Sequence, residues 1–374
     1  MNTSQYPPNL PAFLRQSKTG RYTTWHTRSI YRLLANAVAD IHTRFVDLEW
    51  QQRSRLTPPA VGAATPAPPS QWARLTGDEI LVRNRYANVE PYANNRIKLE
   101  VGHGVSDYIN ASPIILGKRR YIATQGPKDT SATHFWRMIT SEIRGQGPAI
   151  VIMLTQTHEA GREKCFRYYP LDPNQPILNI PPDPADTDHF TAKVTLESAH
   201  ADAACRSEIR EMVLETRKDT SKFIEFKTVF HLLFSGWPDF LVPEGSEKTA
   251  LVNLIKRSQD PATFSFSSHA SQIDPRDFWT KPRIVHCSAG VGRSGTFIAL
   301  DYLLGLLEAG ELDDLGDRDP VAETVDRLRQ QRMMMVQGEG QFFFLYEVLR
   351  EQWIERWKSR NSGVAGNTRN GMMR

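Results

Sequence analysis

Cys287 and Arg293 are the pair in this chain whose types and spacing could do chemistry together, in the run RIVHCSAGVGRSGTF at 283–297. A short β-branched pair, Ile284 and Val285, leads into Cys287. Glycines follow at 290 and 292, and an apolar run through Leu307 reads as a buried helix. A strand, a loop of small residues and a helix start make an anion cradle. The backbone N–H groups of Ser288, Ala289, Gly290, Val291 and Gly292 would turn inward there, and the helix dipole adds positive potential. Such a setting stabilises a thiolate at Cys287. Arg293 adds a planar, permanently charged fork that matches two oxygens of a phosphate. A nucleophile in a phosphate cradle implies attack on phosphorus and a cysteinyl-phosphate intermediate. The plain alternative is a buried structural cysteine beside a Gly-rich turn. This order of residues on a strand–loop–helix pattern favours the chemical reading.

Cleaving a phosphate ester also needs a proton donor for the leaving oxygen. The run GWPDF at 236–240 offers Asp239, on a loop that Trp237 and Pro238 brace and Gly236 hinges. His286 precedes the nucleophile, and alternation along a strand turns its side chain away from the pocket, opposite Cys287. There it is expected to hydrogen-bond the loop backbone and keep the cradle in shape. Ser294 is expected to hydrogen-bond the thiolate and ease its departure in the second step.

The stretch HCSAGVGRSGTF resembles the HCx5R loop of the cysteine-based, non-receptor-type protein tyrosine phosphatases. Further motifs follow in that family's order across residues 27–357. The resemblance implies that Asp239 acts as general acid and then as base for the attacking water, on a loop that closes over substrate. RNRYANV (83–89) resembles the substrate-recognition loop. Tyr86 would wall one side of the pocket and stack on the substrate ring, making a slot too deep for phosphoserine. Asn88 stands where the family often has an Asp that grips the peptide backbone; it can still accept through its carbonyl oxygen. DYINAS (107–112) and TQGP (124–127) resemble framework motifs. In EAGREKC (159–165), Glu159 would hold Arg293 through a carboxylate–guanidinium fork, and Lys164 would lie near Asp239 when the loop is closed. In QQRMMMVQ (330–337), Gln337 would position the water that hydrolyses the cysteinyl phosphate, with Gln341 a second polar contact. Met334 stands where many members have a small residue at the pocket rim, and is expected to narrow it. Leu241 replaces a usual Gly and is expected to stiffen the moving loop. The resemblance implies no metal and no cofactor. Two rival readings share these residues: a phosphotyrosine-binding module without turnover, and an enzyme for phosphoserine, phosphothreonine or phosphoinositides.

The elements that must position these residues come from periodicity. Apolar positions from Ile30 to Leu48 predict one long amphipathic helix over Thr27 to about Arg55, its stripe packed on the main domain. β-branched and aromatic runs predict strands at 108–111, 120–124, 149–154 and from 213 through 234. Helical runs follow at 248–257, 294–309, 320–332 and 340–357. Strands first and helices later imply an α+β fold: a central mixed, twisted β-sheet flanked by α-helices. Residues 1–25 read as a flexible segment, 26–357 as the catalytic domain with a Pro/Ala-rich insertion at 56–72, and 358–374 as a disordered tail. Residues 173–188 read as a surface excursion rich in Pro and Asp. The chain has 374 residues, 40% hydrophobic and 24% charged, with a net charge of +4 that is too slight to argue for nucleic acid. Its 3 cysteines are too far apart to suggest a disulfide framework or a metal site. With no apolar leader and no run long enough to span a membrane, a cytoplasmic monomer, with a nuclear location open, is expected to act on tyrosine-phosphorylated proteins.

Overall fold

Apolar alternation and turn chemistry place nine of the ten described strands between Ala111 and Phe234, with long helices before them and after them. The computed structural model describes Pro11, Leu14 and residues 27–57, 70–145, 147–218, 224–238, 241–264 and 281–365. The elements are α1 (Thr27–Leu56), α2 (Asp78–Arg83), β1 (Ala111–Leu116), β2 (Arg119–Thr124), α3 (Ala132–Glu142), β3 (Ala149–Met153), β4 (His158–Glu159) and β5 (Arg162–Glu163). They continue with β6 (Ile177–Ile180), β7 (Thr191–Asp202), β8 (Ser207–Arg217), β9 (Ile224–Phe234), α4 (Ser246–Gln259), β10 (Arg283–His286), α5 (Gly292–Ala309), α6 (Pro320–Gln331) and α7 (Glu339–Ala365). The expected α+β architecture is the one observed.

Eight strands form one sheet in the order β1-β2-β10-β3-β9-β8-β7-β6. Its centre, β2-β10-β3-β9, is parallel and both flanks are antiparallel. Buried parallel strands need cover on both faces, and their residues divide accordingly. Val285, Ile152 and Leu232 point into a core shared with α4, α5, α6 and α7; Ile284, Val151 and Met153 point into a second core under α3. The short strand β10 therefore lies in the middle of the sheet. The loop after it opens at the carboxyl ends of parallel strands, where ligands gather in folds of this kind.

Several boundaries differ from the sequence expectation. The strand expected at 108–111 begins at Ala111, and Tyr108 makes only an isolated bridge with Lys98. Pro113 hides this strand from a propensity reading, but β1 is an edge, where a missing N–H is tolerated. Within the expected excursion at 173–188, Ile177–Ile180 forms the opposite edge strand, β6. Residues 358–365, expected in the disordered tail, instead continue α7. There Ser359 and Asn361 bond back to carbonyls one turn earlier, and Arg360 reaches Asp313. Of residues 1–25 only Pro11 and Leu14 are described, and Leu14 is fully buried in the main core. Most of the Pro/Ala-rich insertion (58–69) lies outside the described residues. α1 packs on the domain through Ile41, Phe45 and Leu48. Among the described residues no helix is long and apolar enough to cross a membrane.

Candidate active site

The cysteine loop takes its shape from glycine. Gly290 has φ +72°, and a Cβ there would lie 2.0 Å from the Thr124 carbonyl oxygen. Only glycine can therefore bring the loop this close to the end of β2. The Gly290 N–H donates to Cys287 Sγ at 3.3 Å. Behind the loop lies Arg332, fully buried, donating to the carbonyls of Gly290 (2.9 Å) and Ala289 (3.1 Å) and to Asn110 Oδ1 (2.7 Å) and Ser112 Oγ (3.1 Å). Burial pulls its pKa down to about 10, against Tyr108, Cys287 and Glu90, so it keeps its charge at neutral pH. By holding those carbonyls on the outside it leaves the opposite, amide side of the loop free to meet an anion. Neither spacing nor resemblance singled out Arg332; only its position inside QQRMMMVQ could have drawn attention to it.

Arg293, on the first turn of α5, meets Glu159 in a two-pronged pair, Nη1–Oε1 2.6 Å and Nη2–Oε2 2.9 Å. Its Nη1 also donates to the Leu154 carbonyl at 3.1 Å and its Nη2 to the Pro238 carbonyl at 3.4 Å. Glu159 reaches this position on a tight hairpin, β4–β5, whose turn residues Ala160 and Gly161 both have positive φ (49° and 73°). Burial alone would raise the Glu159 carboxyl. The Arg293 fork, Thr155 Oγ1 and the Gln156 N–H together hold it below its ordinary value.

His286 lies on the α3 side of β10, away from Cys287, against Phe135 and Tyr168. Its Nδ1 is 3.3 Å from the Cys287 carbonyl and its Nε2 is 2.6 Å from the Tyr168 hydroxyl. A carbonyl only accepts, so these partners assign the hydrogen to Nδ1 and make Nε2 the acceptor of the Tyr168 O–H. The hydroxyl oxygen then accepts from His231 Nε2 at 3.0 Å. Burial pushes the His286 imidazole down to about 4, so it is neutral. Ser294 Oγ is buried with no hydrogen-bond partner. The structure gives it no bond to the sulfur, which differs from the sequence expectation and leaves a hydroxyl beside the cradle.

Tyr86 stands at the mouth, partly exposed, its hydroxyl 2.8 Å from Ser288 Oγ, which donates to the Lys164 carbonyl at 2.9 Å. The TQGP framework motif anchors the Tyr86 loop: Gln125 accepts from the Arg85 N–H and donates to the Arg83 carbonyl, both at 2.8 Å. Arg85 reaches the carbonyls of Gly126 (3.1 Å) and Pro127 (2.7 Å). Asn88 is exposed beside Tyr86. Trp237 is buried and donates from Nε1 to the Leu241 carbonyl at 3.0 Å, which closes the base of the loop carrying Asp239. Asp239 and Phe240 themselves lie outside the described residues. The exposed Gln337 and the half-buried Gln341 both crowd Gly292: a Cβ there would meet the Gln341 amide at 3.1 Å and Gln337 Cβ at 3.5 Å. Val291 and Gly292 are buried in the turn that starts α5. The site thus gathers one sulfur, one guanidinium, the Gly290 amide and two glutamines at the carboxyl end of β10.

A fold and loop of this construction define a thiol-based phosphate-binding enzyme class. The family model described as Protein-tyrosine phosphatase matches residues 81–351. The chain belongs to this family. It is 37% identical over 274 residues to Tyrosine-protein phosphatase 3 of Schizosaccharomyces pombe, covering 72% of this chain and 80% of that protein. It is 29% identical over 364 residues to Tyrosine-protein phosphatase 2 of the same yeast, covering 91% of this chain and 45% of that protein. With Phosphatidylinositol phosphatase PTPRQ of Rattus norvegicus it shares 34% over 271 residues, covering 71% of this chain and 10% of that protein.

Proposed function

We propose that the chain is a non-receptor-type enzyme that hydrolyses phosphotyrosine in proteins through a cysteinyl phosphate. The observation that carries this reading is the Gly290 N–H aimed at Cys287 Sγ beside an Arg293 fork pinned by Glu159. In the first step the Cys287 sulfur bonds to phosphorus, the ester P–O bond breaks, and Asp239 protonates the leaving phenolate. In the second step water held by Gln337 bonds to phosphorus, the S–P bond breaks, the electron pair returns to sulfur, and the proton of the water passes to Asp239. Arg293 and the loop amides stabilise the oxygens of the transferring group throughout. Ser294, whose buried hydroxyl has no other partner, would donate to the departing sulfur in the second step. Tyr86 and Asn88 receive the substrate side chain and its peptide, and Lys164 meets the Asp239 loop. Residues 26–357 form the catalytic domain, which the packing of α1 supports, and a reducing, cytoplasmic compartment suits a thiolate nucleophile. We take the working form to be a monomer.

The PTPRQ relative bears the name of a phosphatidylinositol phosphatase, which makes a phosphoinositide the second reading. The Tyr86 hydroxyl bonded to Ser288 favours phosphotyrosine, because it raises a wall at the mouth of the pocket. Phosphate release from phosphotyrosyl peptide, phosphoseryl peptide and phosphoinositide vesicles, measured in parallel, separates the readings. Turnover of the phosphotyrosyl peptide that disappears in Cys287→Ser is the expected result. Faster turnover of the vesicles would overturn the substrate class, and binding without release would make the chain a phosphotyrosine-binding module.

A further inference from the structure

Met334 and Val336, just ahead of Gln337, have φ of 60° and 57°. That region is unfavourable for any side chain and most of all for a β-branched one. Such a backbone persists only where its surroundings over-determine it. Here two of the restraints come from α1, far upstream in sequence. Gln52, itself buried, accepts the Met334 N–H on Oε1 at 2.7 Å. Glu49 pairs at 2.8 Å with Arg329, whose fully buried guanidinium donates to the carbonyls of Met335 (3.1 Å) and Val336 (3.0 Å). The Val336 N–H then reaches the Val291 carbonyl of the cysteine loop at 3.2 Å. Other α1 contacts end on the same neighbourhood: Arg44 on Asp319, Arg55 on Asp326 and His42 on Glu339.

We propose that α1 is a positioning device for the second chemical step. Gln52 directly, and Glu49 through Arg329, hold the 334–336 backbone in its strained form, so that Gln337 stays against Gly292 and places the attacking water. This rests on the reading of Cys287 and Gln337 given above. The restraints act directly on the 334–336 backbone, whereas the cysteine loop and Arg293 have further holds in the sheet, in Arg332 and in Glu159. Loosening α1 therefore spares formation of the cysteinyl phosphate and slows its breakdown.

The test compares the full chain with Gln52→Met, which keeps the volume but cannot accept, Gln52→Glu, which can, and Gln337→Ala as a benchmark. With a phosphorylated phenol as substrate, Gln52→Met is expected to lower kcat about 3- to 10-fold, the weight of one net hydrogen bond. The kcat/KM, which reports only the steps through phosphoenzyme formation, should hold within about 2-fold. A pre-steady-state burst of phenol should appear. In ethylene glycol, the ratio of phenol to inorganic phosphate should rise as the alcohol competes with badly placed water. Gln52→Glu should restore all of these readouts. If Gln52→Met does not fold, Glu49→Gln probes the same clamp at its partly exposed contact. A parallel fall in kcat and kcat/KM, or an unchanged partition ratio with a lowered Tm, would assign α1 a purely structural role. Wild type that turns over while Gln337→Ala leaves partition unchanged keeps the phosphatase reading and sinks this one; wild type without turnover sinks both.

Discussion

Acid should destabilise this fold through His286, in a window that the structure specifies. The imidazole is fully buried and its pKa is pushed down to about 4 by desolvation, with Arg85 adding to the fall and the Cys287 carbonyl opposing it. In the unfolded chain the same group titrates near about 6.5. Above that pH both states are neutral and the contribution to stability is fully present. Between about 6.5 and about 4 the unfolded chain binds a proton that the folded chain refuses, so stability falls as pH falls; below about 4 this group takes away nothing further. The whole window is worth about 3 kcal/mol, of which about 2 kcal/mol is lost between about pH 7 and about pH 5. Protonation also has no place to go structurally, since Nε2 accepts from Tyr168, whose oxygen accepts from His231. His231 and His134 are depressed in the same direction, both chiefly by burial, and steepen the wild-type response. The informative quantity is therefore a difference. Urea unfolding at stepped pH, wild type against His286→Gln, should show the variant losing about 2 kcal/mol less over that range, even though it starts less stable. Equal losses in the two proteins would refute the reasoning.

Gly290→Ala should abolish vanadate binding in titration calorimetry and cost about 1–3 kcal/mol or more, because its Cβ would meet the Thr124 carbonyl at 2.0 Å; a stable variant that still binds vanadate contradicts the close approach. Glu159→Gln removes the charged half of the Arg293 fork, and should lower kcat/KM about 10- to 100-fold. Unchanged steady-state kinetics would mean that the fork is idle. Met334→Gly relieves a residue at φ 60°, so it should be neutral to stabilising by about 1 kcal/mol in thermal unfolding. It should also open the rim, and identical kcat/KM values across a phosphopeptide panel would rule that out.

Much of the site was legible because its central device is local. A β-branched pair, a run of small residues and an apolar helix start suffice to bend the backbone of 284–297 into a cradle, and alternation alone sends His286 to the face opposite Cys287. The edge strands were harder to read. Pro113 in β1 and the Pro-flanked Ile177–Ile180 of β6 break propensity rules that bind central strands and not edges. The Glu159–Arg293 pair came from the resemblance, since nothing in their own spacing joins residues so far apart.

The sequence by itself determined which residues could attack and hold a phosphate, because that capacity belongs to side-chain type and to backbone bends made by near neighbours. Only the tertiary structure decided what stands around them: Arg332 behind the loop, Tyr168 and His231 under His286, and Gln52 against Met334. Those partners meet because β10 is inserted between β2 and β3, and because burying both faces of the sheet draws the first helix onto the last two. Most buried polar groups take whatever partner the packing offers, and packing is a property of the whole chain.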